Sequence, residues 1–326
     1  MLIVQKFGGS SLADLQRLRR AANIAAEARR RGNQVVLVVS AAGSSTDELL
    51  SMACRILPHP PRRELDALLA TGEQRSAALM AMMLESMGCP ARSFSGAQAG
   101  IHTDGRYGEA SILRVEPERL LQSLAAGEIA VTAGFQGLAP NRDVSTLGRG
   151  GSDTTAVALA AALQAERCEI YTDVDGVCTA DPRLLPSARL LREIDSRDML
   201  LLARAGSQVL HPRSVALAME KGVPLWLLSS FRAGEGTRVL LLPEERRPAL
   251  AGVTRNEAAG SVTVVGRLAD EALLQQLRRE LERSGIPVRS ARAEEGCVSF
   301  TVAPAQLLPA LELCHRSVVG NEEVKK

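Results

Sequence analysis

The amino-acid sequence predicts an α/β protein with a mostly parallel sheet between helices, followed by a small α+β module. Over the first ~240 residues, short apolar runs alternate with helical patterns, which is typical of βα units. Residues 34–39 (QVVLVV) form an unbroken apolar run, as expected for a strand that is buried on both faces. Beyond residue 250 the order of strand and helix patterns changes, which indicates a second module.

The first predicted elements begin at the N-terminus. A strand over Leu2–Phe7 leads through Gly8 and Gly9 into a helix whose apolar residues recur at the helical period. Gly32 is expected to end this helix, because the left-handed conformation at a helix end favours glycine. The further strands are expected over 34–39, 129–135, 168–172 and 223–228, and the further helices over 64–87, 153–165, 196–204 and 208–221.

The second module follows a charged linker over 241–250 that contains two prolines. The elements expected beyond the linker are, in order, a strand over 261–265, a helix over 270–284, strands near 286–292 and 296–302, and a last helix from Pro304. This βαββα order predicts a small α+β module with its helices on one face of the sheet. We therefore predict two domains, residues 1–243 and 250–320, and a frayed tail over 321–326.

Composition and charge exclude several classes of function. The chain has 39 Lys and Arg against 37 Asp and Glu, so it lacks the positive field that attracts nucleic acid or an anionic membrane. Aromatic residues make up 2% of the chain, too few to form a stacking surface for single strands. No apolar run reaches the ~18 residues of a membrane span, and no signal peptide pattern is present. The six cysteines are scattered without metal-ligand spacing, so we expect a cytoplasmic protein with no disulfide framework and no metal-binding set of side chains.

A lysine and two glycines stand where the first predicted strand meets the first helix. Glycines let backbone N–H groups approach a phosphate closely, and the N-terminus of the helix adds a positive partial charge. Lys6 would add a full charge at a transferring phosphoryl group, next to Gly8, Gly9 and Ser10. The alternative is a purely structural turn between strand and helix.

A glycine-rich polar loop, Thr146–Thr155 (TLGRGGSDTT), precedes an alanine-rich helix. Arg149 is able to pair a carboxylate through two parallel hydrogen bonds, which lysine is not able to do. Asp153 offers the opposite charge, which suits an ammonium group. The loop therefore predicts a site for a zwitterionic amino acid, while the alternative is that Ser152 or Asp153 only caps the helix.

A third polar loop, Tyr171–Arg183, begins at the carboxyl end of a predicted strand, where open α/β sheets bind their ligands. Its Asp-Gly and Asp-Pro pairs are typical of turns, so one interpretation is a structural loop. The other interpretation is that Arg183 binds a nucleotide phosphate.

Six segments together resemble the aspartokinases, and they occur in the order seen in that family. They are KFGGSS (6–11), SAAG with STDELL (40–50), Gly72-Glu73, GFQG (134–137), GRGGSDTTA (148–156) and TDVDGVCTADPR (172–183). The combination is specific, because kinases for acetylglutamate, glutamate or uridylate share the fold but not the pairing of KFGG with GRGGSDTTA. The resemblance covers roughly residues 2–240 and implies the amino-acid kinase fold. The module after residue 250 resembles the first of the two ACT domains that usually follow in that family.

The resemblance implies a kinase that transfers the γ-phosphoryl group of ATP to the side-chain carboxylate of L-aspartate, with Mg²⁺ bridging the phosphates. That reaction is the first step of lysine, threonine and methionine synthesis. It needs no general base, because a carboxylate with a reference pKa of about 4 is already ionised at neutral pH. The resemblance implies that the catalytic residues are Lys6, Arg149 and Asp153. It implies an aspartate pocket made of Thr46, Glu73, Arg149, Ser152 and Asp153. It also implies a nucleotide site made of Lys6, Gly8, Gly9, Ser10, Thr172, Asp173, Arg183 and Gln208. A homodimer through the ACT-like modules is implied as well.

The chain departs from the family pattern at two positions near the nucleotide. Gln208 stands where aspartokinases normally have a lysine, and Cys178 stands where a tyrosine is common. Loss of a cation at the phosphates raises the barrier to phosphoryl transfer. Three hypotheses therefore stay open. They are an active aspartate kinase, a weakly active or non-catalytic paralogue that acts as a regulatory or ligand-binding partner, and a related kinase for another acidic amino acid.

Overall fold

The computed structural model describes residues 1–319 of the chain, and no helix in that part has the length and apolar character of a membrane span. The described part of the chain forms two compact units. The first is made of residues 1–175 and 216–235, and the second is made of residues 176–215 and of the described residues from 236 onward. The strands are β1 (Leu2–Phe7), β2 (Gln34–Val39), β3 (Ala91–Phe94), β4 (Ile101–Thr103), β5 (Ile112–Val115), β6 (Ile129–Ala133), β7 (Gln136–Leu138), β8 (Val144–Thr146), β9 (Arg167–Thr172), β10 (Glu193–Asp195), β11 (Leu225–Ser229), β12 (Thr237–Leu240), β13 (Gly252–Asn256), β14 (Ser261–Val265), β15 (Ser290–Glu294) and β16 (Cys297–Thr301). The helices are α1 (Leu15–Arg30), α2 (Ser45–Ile56), α3 (Arg62–Glu85), α4 (Glu118–Ala125), α5 (Gly151–Ala162), α6 (Ser196–Arg204), α7 (Pro212–Lys221), α8 (Glu271–Arg283) and α9 (Leu307–Val319).

The first unit contains a run of parallel strands in the order β11-β9-β1-β2-β6-β3. Within β2, the residues from Val35 to Val39 are each at most 1% exposed. The middle of the sheet is therefore buried on both faces, as the unbroken apolar run of this strand predicts. The predicted α/β class with a mostly parallel sheet is confirmed.

Helices cover both faces of this sheet. Side chains alternate between the two faces along a strand, so Phe7 and its neighbour Lys6 point to opposite sides. Phe7 packs in one core with buried residues of α1 and α3, among them Ala22 and Met80. On the other face α5 packs against β1 and β2, and Lys6 points toward this helix.

The predicted first helix is present as α1, and both of its ends have the expected chemistry. Asp14 caps the start, where its carboxylate accepts a hydrogen bond from the backbone N–H of Arg17 at 2.8 Å. Gly32 follows the end with φ +85°, a conformation that strains residues with a side chain. The helix therefore begins and ends where local sequence signals place it.

Several short elements of the first unit are not among those that the sequence predicts. The strands β4, β5, β7 and β8 form a small mixed sheet in the order β5-β4-β7-β8, and β3, α2 and α4 are also additional. Strands of three or four residues are too short to show a period of two, which explains why the sequence does not reveal them. The predicted strand over 129–135 ends at Ala133, because Gly134 and Phe135 turn the chain, with Phe135 at φ +68°.

The second unit contains an antiparallel sheet in the order β13-β14-β16-β15 and a parallel pair of strands, β10 and β12. Helices α8 and α9 pack on the antiparallel sheet over a core that includes Leu277, Leu281 and Phe300. The predicted βαββα order is present as β14-α8-β15-β16-α9. The strand β13 precedes it and is not predicted.

Some boundaries predicted for the later part of the chain are wrong. The strand predicted near 286–292 is β15, which begins at Ser290, and the helix predicted over 208–221 is α7, which begins at Pro212. Proline suits the first turn of a helix because an N–H group there would have no partner inside the helix. The domain limits 1–243 and 250–320 stay predictions, and residue 320 and the tail 321–326 lie outside the described residues.

We expect Leu277→Ala to lower the free energy of unfolding of the second unit by about 2–5 kcal/mol, the usual cost of removing a buried leucine side chain. Leu277 is 0% exposed, so the smaller side chain leaves a cavity in the core between α8 and the sheet. Differential scanning calorimetry measures the loss. The control variant Leu308→Ala changes a leucine that is 37% exposed and should cost roughly 1 kcal/mol or less. Equal losses in the two variants would contradict the assignment of Leu277 to the core.

Candidate functional site

The strand ends of the first unit bring several loops together. In the parallel register, Lys6 of β1 lies beside Val38 of β2 and Ile170 of β9, and Val38 lies beside Thr132 of β6. The carboxyl ends of these four strands therefore meet at one edge of the sheet, which we call the carboxyl edge. Open α/β sheets bind their ligands at this edge.

The glycine turn after β1 fits tightly between two neighbouring loops. A Cβ at Gly9 would lie 2.7 Å from the carbonyl oxygen of Ala41, too close for any side chain. Gly43 donates its backbone N–H to the carbonyl of Gly9 at 2.9 Å, and Gly8 donates its own to the carbonyl of Tyr171 at 3.3 Å. The turn is thus attached to the loop after β2 and to the end of β9.

Lys6 and Asp153 form an ion pair at the carboxyl edge. The Nζ of Lys6 lies 2.7 Å from Oδ1 of Asp153, and the two side chains are 11% and 14% exposed. The distance between these two atoms is that of an ion pair, but the angles at the contact are not those of a hydrogen bond. Oδ1 of Asp153 therefore has an ionic partner but no hydrogen-bond partner within residues 1–319. Asp153 lies in the first turn of α5, where the helix dipole favours a carboxylate. The pair brings two of the predicted motifs into direct contact.

Glycines shape the loop before α5 because there is no room for side chains. Gly148 has φ +71°, and a Cβ there would lie 2.9 Å from the carbonyl oxygen of Gly108. A Cβ at Gly151 would lie 2.8 Å from a ring carbon of Phe135. The path of the loop is therefore set by close approach to the segments on either side of it.

The start of α5 brings further predicted residues to the end of β6. The N-cap is Gly150, without a side-chain cap bond, so the alternative that Ser152 or Asp153 only caps the helix is wrong. Ser152 is 8% exposed, and a Cβ at Gly134 would lie 2.9 Å from its Oγ. Arg149 is exposed, so its guanidinium is accessible to a ligand.

Glu73 of α3 is a buried carboxylate with one unsatisfied oxygen. Its Oε1 accepts the backbone N–H of Ala41 at 3.0 Å, whereas its Oε2 has no hydrogen-bond partner in the described part of the chain. Burial raises the pKa of the Glu73 carboxyl to about 7. Because Ala41 also lies against the glycine turn at Gly9, Glu73 belongs to the carboxyl edge.

The predicted residue Thr46 lies in the first turn of α2 and is half-buried. Its neighbour Ser45 accepts a hydrogen bond from the guanidinium of Arg75, which lies on α3 two residues after Glu73. The start of α2 is therefore attached to the part of α3 that carries Glu73.

The end of β9 places Thr172 and Asp173. The hydroxyl of Thr172 donates to a carboxylate oxygen of Asp173 at 3.2 Å. The carbonyl of Thr172 accepts hydrogen bonds from both the backbone N–H and the hydroxyl of Ser230, each at 2.8 Å. The hydroxyl of Ser230 also contacts that of Ser11 at 2.5 Å, which joins β9 to the turn after β1. Ser230 is not among the predicted residues, and its only sequence signal is its place after a predicted strand.

Two of the predicted nucleotide-binding residues lie in the second unit. Arg183 forms an ion pair with Asp181 at 2.7 Å, and this contact lowers the pKa of the Asp181 carboxyl. Gln208 lies between α6 and α7 and is exposed. Their part in nucleotide binding stays a prediction.

The sequence is similar to known proteins over most of its length. The profile of the amino acid kinase family matches residues 1–229. The aspartokinase of Thermus thermophilus is 47% identical over 287 residues, which cover 88% of this chain and 71% of that relative. The aspartokinase of Mycolicibacterium smegmatis is 50% identical over 269 residues, which cover 81% of this chain and 64% of that relative.

Solved structures are similar as well. An aspartate kinase from Synechocystis has a TM-score of 0.68 at 38% identity, and the match covers 96% of this chain but 54% of that one. Aspartokinase III of E. coli, solved in complex with aspartate and ADP, has a TM-score of 0.71 at 27% identity, with 93% of this chain and 78% of that one covered. With a family profile that matches more than half of its residues and relatives that are close to half identical, the chain belongs to the amino acid kinase family and is related to its aspartokinases.

Proposed function

We propose that this chain is an aspartate kinase, which transfers the γ-phosphoryl group of ATP to the side-chain carboxylate of L-aspartate and forms 4-phospho-L-aspartate. The observation that carries the proposal is the carboxyl edge, where Lys6 and Asp153 pair beside a glycine turn and an exposed Arg149. Identity of 47–50% to proteins named aspartokinase, over most of the chain, supports the same reaction. The product would enter the synthesis of lysine, threonine and methionine.

The ATP phosphates would lie at the glycine turn. Gly9 and Ser10 begin a 3₁₀ turn, so their N–H groups have no acceptor inside that turn and suit a phosphate. The N–H of Gly8 already bonds to Tyr171, and a Cβ at Gly8 would lie against the Nζ of Lys6 at 3.4 Å, so the glycine leaves that side of the ammonium group uncovered. Lys6 would then supply its charge to the oxygens of the transferring group.

The rest of the nucleotide would lie along the loop after β9. Thr172 ends the strand that is next to β1 in the sheet, and Asp173 follows it, so both lie on the same edge as the glycine turn. Arg183 and Gln208 are proposed to contact the nucleotide by resemblance to the aspartokinases. Mg²⁺ would be held mainly by phosphate oxygens, because this ion usually binds through substrate phosphates and one or two carboxylates.

The aspartate would be bound by the loop before α5 and by α3. The accessible guanidinium of Arg149 suits a substrate carboxylate. Glu73 has a buried oxygen without a hydrogen-bond partner among residues 1–319, and an ammonium group has three donors to offer such an oxygen. The buried Oδ1 of Asp153 also lacks a hydrogen bond within the described residues, although it forms an ion pair with Lys6. Ser152 and Thr46 would add hydroxyl contacts. The unsatisfied carboxylate of Glu73 is the feature that distinguishes an amino-acid pocket from a site for phosphate alone.

The chemistry then depends on position and charge rather than on proton transfer. The accepting carboxylate of aspartate is ionised at neutral pH, with a reference pKa of about 4, and needs no base. Arg149 would hold the substrate in line with the γ-phosphoryl group, and Lys6 would stabilise the charge on its oxygens. When bound, Mg²⁺ supplies further positive charge to the phosphate oxygens.

Two other hypotheses are weaker. A non-catalytic or weakly active paralogue rests on Gln208, but the identity of about half of the aligned residues to proteins named aspartokinase favours the active enzyme. A kinase for another acidic amino acid rests on the fold alone. The homodimer through the ACT-like modules and the cytoplasmic location stay predictions.

We expect Arg149→Ala to lower kcat/KM for aspartate by at least ~100-fold, an effect typical of removing one positioned charge. Arg149 is exposed, so the variant should fold normally. A coupled assay of ADP release measures the rate. The control Arg19→Ala removes an exposed arginine of α1 and should stay within about twofold of the wild type. A wild-type chain that binds ATP or aspartate in calorimetry but releases no ADP would favour the paralogue hypothesis instead.

Gln208→Lys introduces the lysine that aspartokinases normally have at this position. We expect kcat to rise by about tenfold or more, because a full charge at the phosphates stabilises the transition state better than a neutral amide does. The control Gln208→Ala adds no charge and should leave kcat within about threefold of the wild type. An unchanged kcat in the lysine variant would mean that another cation already occupies this role.

Glu73 should make the free protein less stable as pH rises. Its pKa is about 7 in the folded protein against 4.5 for the ordinary group, so the folded state binds the proton more tightly than the unfolded state. The contribution of Glu73 to the free energy of unfolding should therefore be largest below pH 4.5 and decrease as pH rises through 7. The size of this decrease is about 3 kcal/mol, from the difference between the two pKa values.

Glu73→Gln keeps a carbonyl oxygen for the Ala41 N–H and does not titrate. Relative to the wild type, its free energy of unfolding should increase by about 3 kcal/mol between pH 4.5 and pH 8. Denaturant unfolding at both pH values measures the change. The control Glu64→Gln alters an exposed glutamate of the same helix and should show no such change. Parallel pH profiles for the Glu73 variant and the wild type would rule out the raised pKa.

A further inference from the structure

A second carboxylate of α3 is buried near the glycine-rich loop. Asp66 is 1% exposed, and it precedes Glu73 by two helical turns, so both side chains leave the same face of the helix. No sequence motif points to Asp66. Its hydrogen-bond partners are Gly108 and Thr146, neither of which is proposed to contact a ligand.

The carboxylate of Asp66 is satisfied by three donors. Its Oδ2 accepts the backbone N–H of Thr146 at 2.7 Å and that of Gly108 at 2.9 Å. Its Oδ1 accepts the hydroxyl of Thr146 at 2.8 Å. Such a carboxylate holds the segments it joins in place, because breaking any of the bonds leaves a polar group unpaired in the interior.

Asp66 joins the first residue of the glycine-rich loop, Thr146, to the segment that contains Gly108. Thr146 ends β8 and leads directly into the loop. Gly108 lies against the loop, since a Cβ at Gly148 would be 2.9 Å from the carbonyl oxygen of Gly108. The N–H of Ala110 also donates to the carbonyl of Thr146 at 2.8 Å. Asp66 therefore sets the spacing between the loop and the segment behind it.

The remaining contacts of α3 do not depend on Asp66. Further along the same helix, the carbonyl of Ala70 accepts the side-chain amide of Gln136 at 2.9 Å, and Glu73 accepts the N–H of Ala41 at 3.0 Å. Loss of the Asp66 carboxylate would therefore loosen the loop while the helix keeps its attachment to β7 and to the loop after β2.

We propose that Asp66 is a positioning residue for the aspartate pocket: through Thr146 it holds the loop in the one path that places Arg149 and the first turn of α5 for substrate binding. The proposal rests on the proposed function. The loop and the first turn of α5 carry Arg149, Ser152 and Asp153 of the groups assigned to aspartate, while the groups assigned to the ATP phosphates lie on β1 and the turn after it. The effect of Asp66 therefore falls more on the binding of aspartate than on that of ATP, which the loop reaches through the Lys6–Asp153 pair.

Two substitutions separate position from charge. Asp66→Asn keeps the shape, because its oxygen accepts the two N–H groups and its amide donates to the hydroxyl of Thr146, which both donates and accepts. This variant should keep the KM for aspartate within about threefold of the wild type. Asp66→Ala leaves two N–H groups and a hydroxyl without their acceptor. It should raise the KM for aspartate by about tenfold or more and leave the KM for ATP within about threefold.

A matched control separates this effect from a general loss of stability. Leu84→Val removes a methylene-sized group from a leucine that is 0% exposed near the other end of α3, about 27 Å along the helix from Asp66. It should lower the thermal midpoint without changing either KM. An unchanged KM for aspartate in Asp66→Ala, or an equal rise in both KM values, would overturn the positioning role.

A second measurement does not depend on turnover. Hydrogen exchange of the backbone amides over 146–150 should be faster in Asp66→Ala than in the wild type, and unchanged in Leu84→Val. If the wild type releases no ADP with aspartate, the proposed function fails, while faster exchange still supports the role of Asp66 in holding the loop. Exchange that stays slow in Asp66→Ala refutes that role. If Asp66→Ala does not fold, Thr146→Val removes only the hydroxyl bond and should raise the KM for aspartate by roughly fivefold, the equivalent of one ordinary hydrogen bond.

Discussion

At the carboxyl edge, the backbone at several glycines lies closer to neighbouring segments than a side chain would allow. A Cβ would meet another atom at less than 3.0 Å in several places along this edge, namely at Gly9, Gly72, Gly134, Gly148 and Gly151. These glycines decide how near the loops come, and therefore whether Lys6 on β1 is able to reach Asp153 on α5. The parallel register of the strands brings the loops to the same edge, and the helices exclude water from both faces of the sheet. The site depends on this close approach at the glycines, because an ion pair of this kind forms only where the two elements carrying it lie close together.

The two buried carboxylates of α3 differ in what they are bonded to. Asp66 accepts three hydrogen bonds from the protein, whereas Glu73 accepts one and leaves its other oxygen without a partner within residues 1–319. A buried charge with few hydrogen bonds is costly, so burial raises the pKa of the Glu73 carboxyl. A carboxylate that the fold satisfies is suited to hold structure, and one that the fold leaves unsatisfied is suited to receive a ligand with donors of its own. One helix therefore supports both tasks at positions two turns apart.

The parts of the molecule that can be predicted from sequence are those with local signals. A pattern of at most ten residues is enough to recognise the unbroken apolar run of β2, the glycines after β1 and the glycine-rich loop before α5. Asp66 and Ser230 have no such local signal, because their partners are far away in the sequence. Asp66 is 80 residues from Thr146, and Ser230 is 219 residues from Ser11. The capping alternative for the glycine-rich loop is wrong for a local reason, since Gly150 occupies the N-cap in the left-handed conformation. The unpaired oxygen of Glu73 is visible only once burial is known.

The first unit is discontinuous in the sequence, since the chain leaves it after residue 175 and returns at residue 216. As a result β9, which ends at Thr172, pairs with a strand that ends at Ser229, 57 residues later by subtraction. A ribosome that adds roughly 5–20 residues per second needs roughly 3–11 s to supply those residues. During this interval the nascent chain presents β9 as a bare strand edge, the kind of surface on which unfinished polypeptides pair with one another. Translation speed through the inserted stretch is thus linked to the risk of misassembly on polysomes.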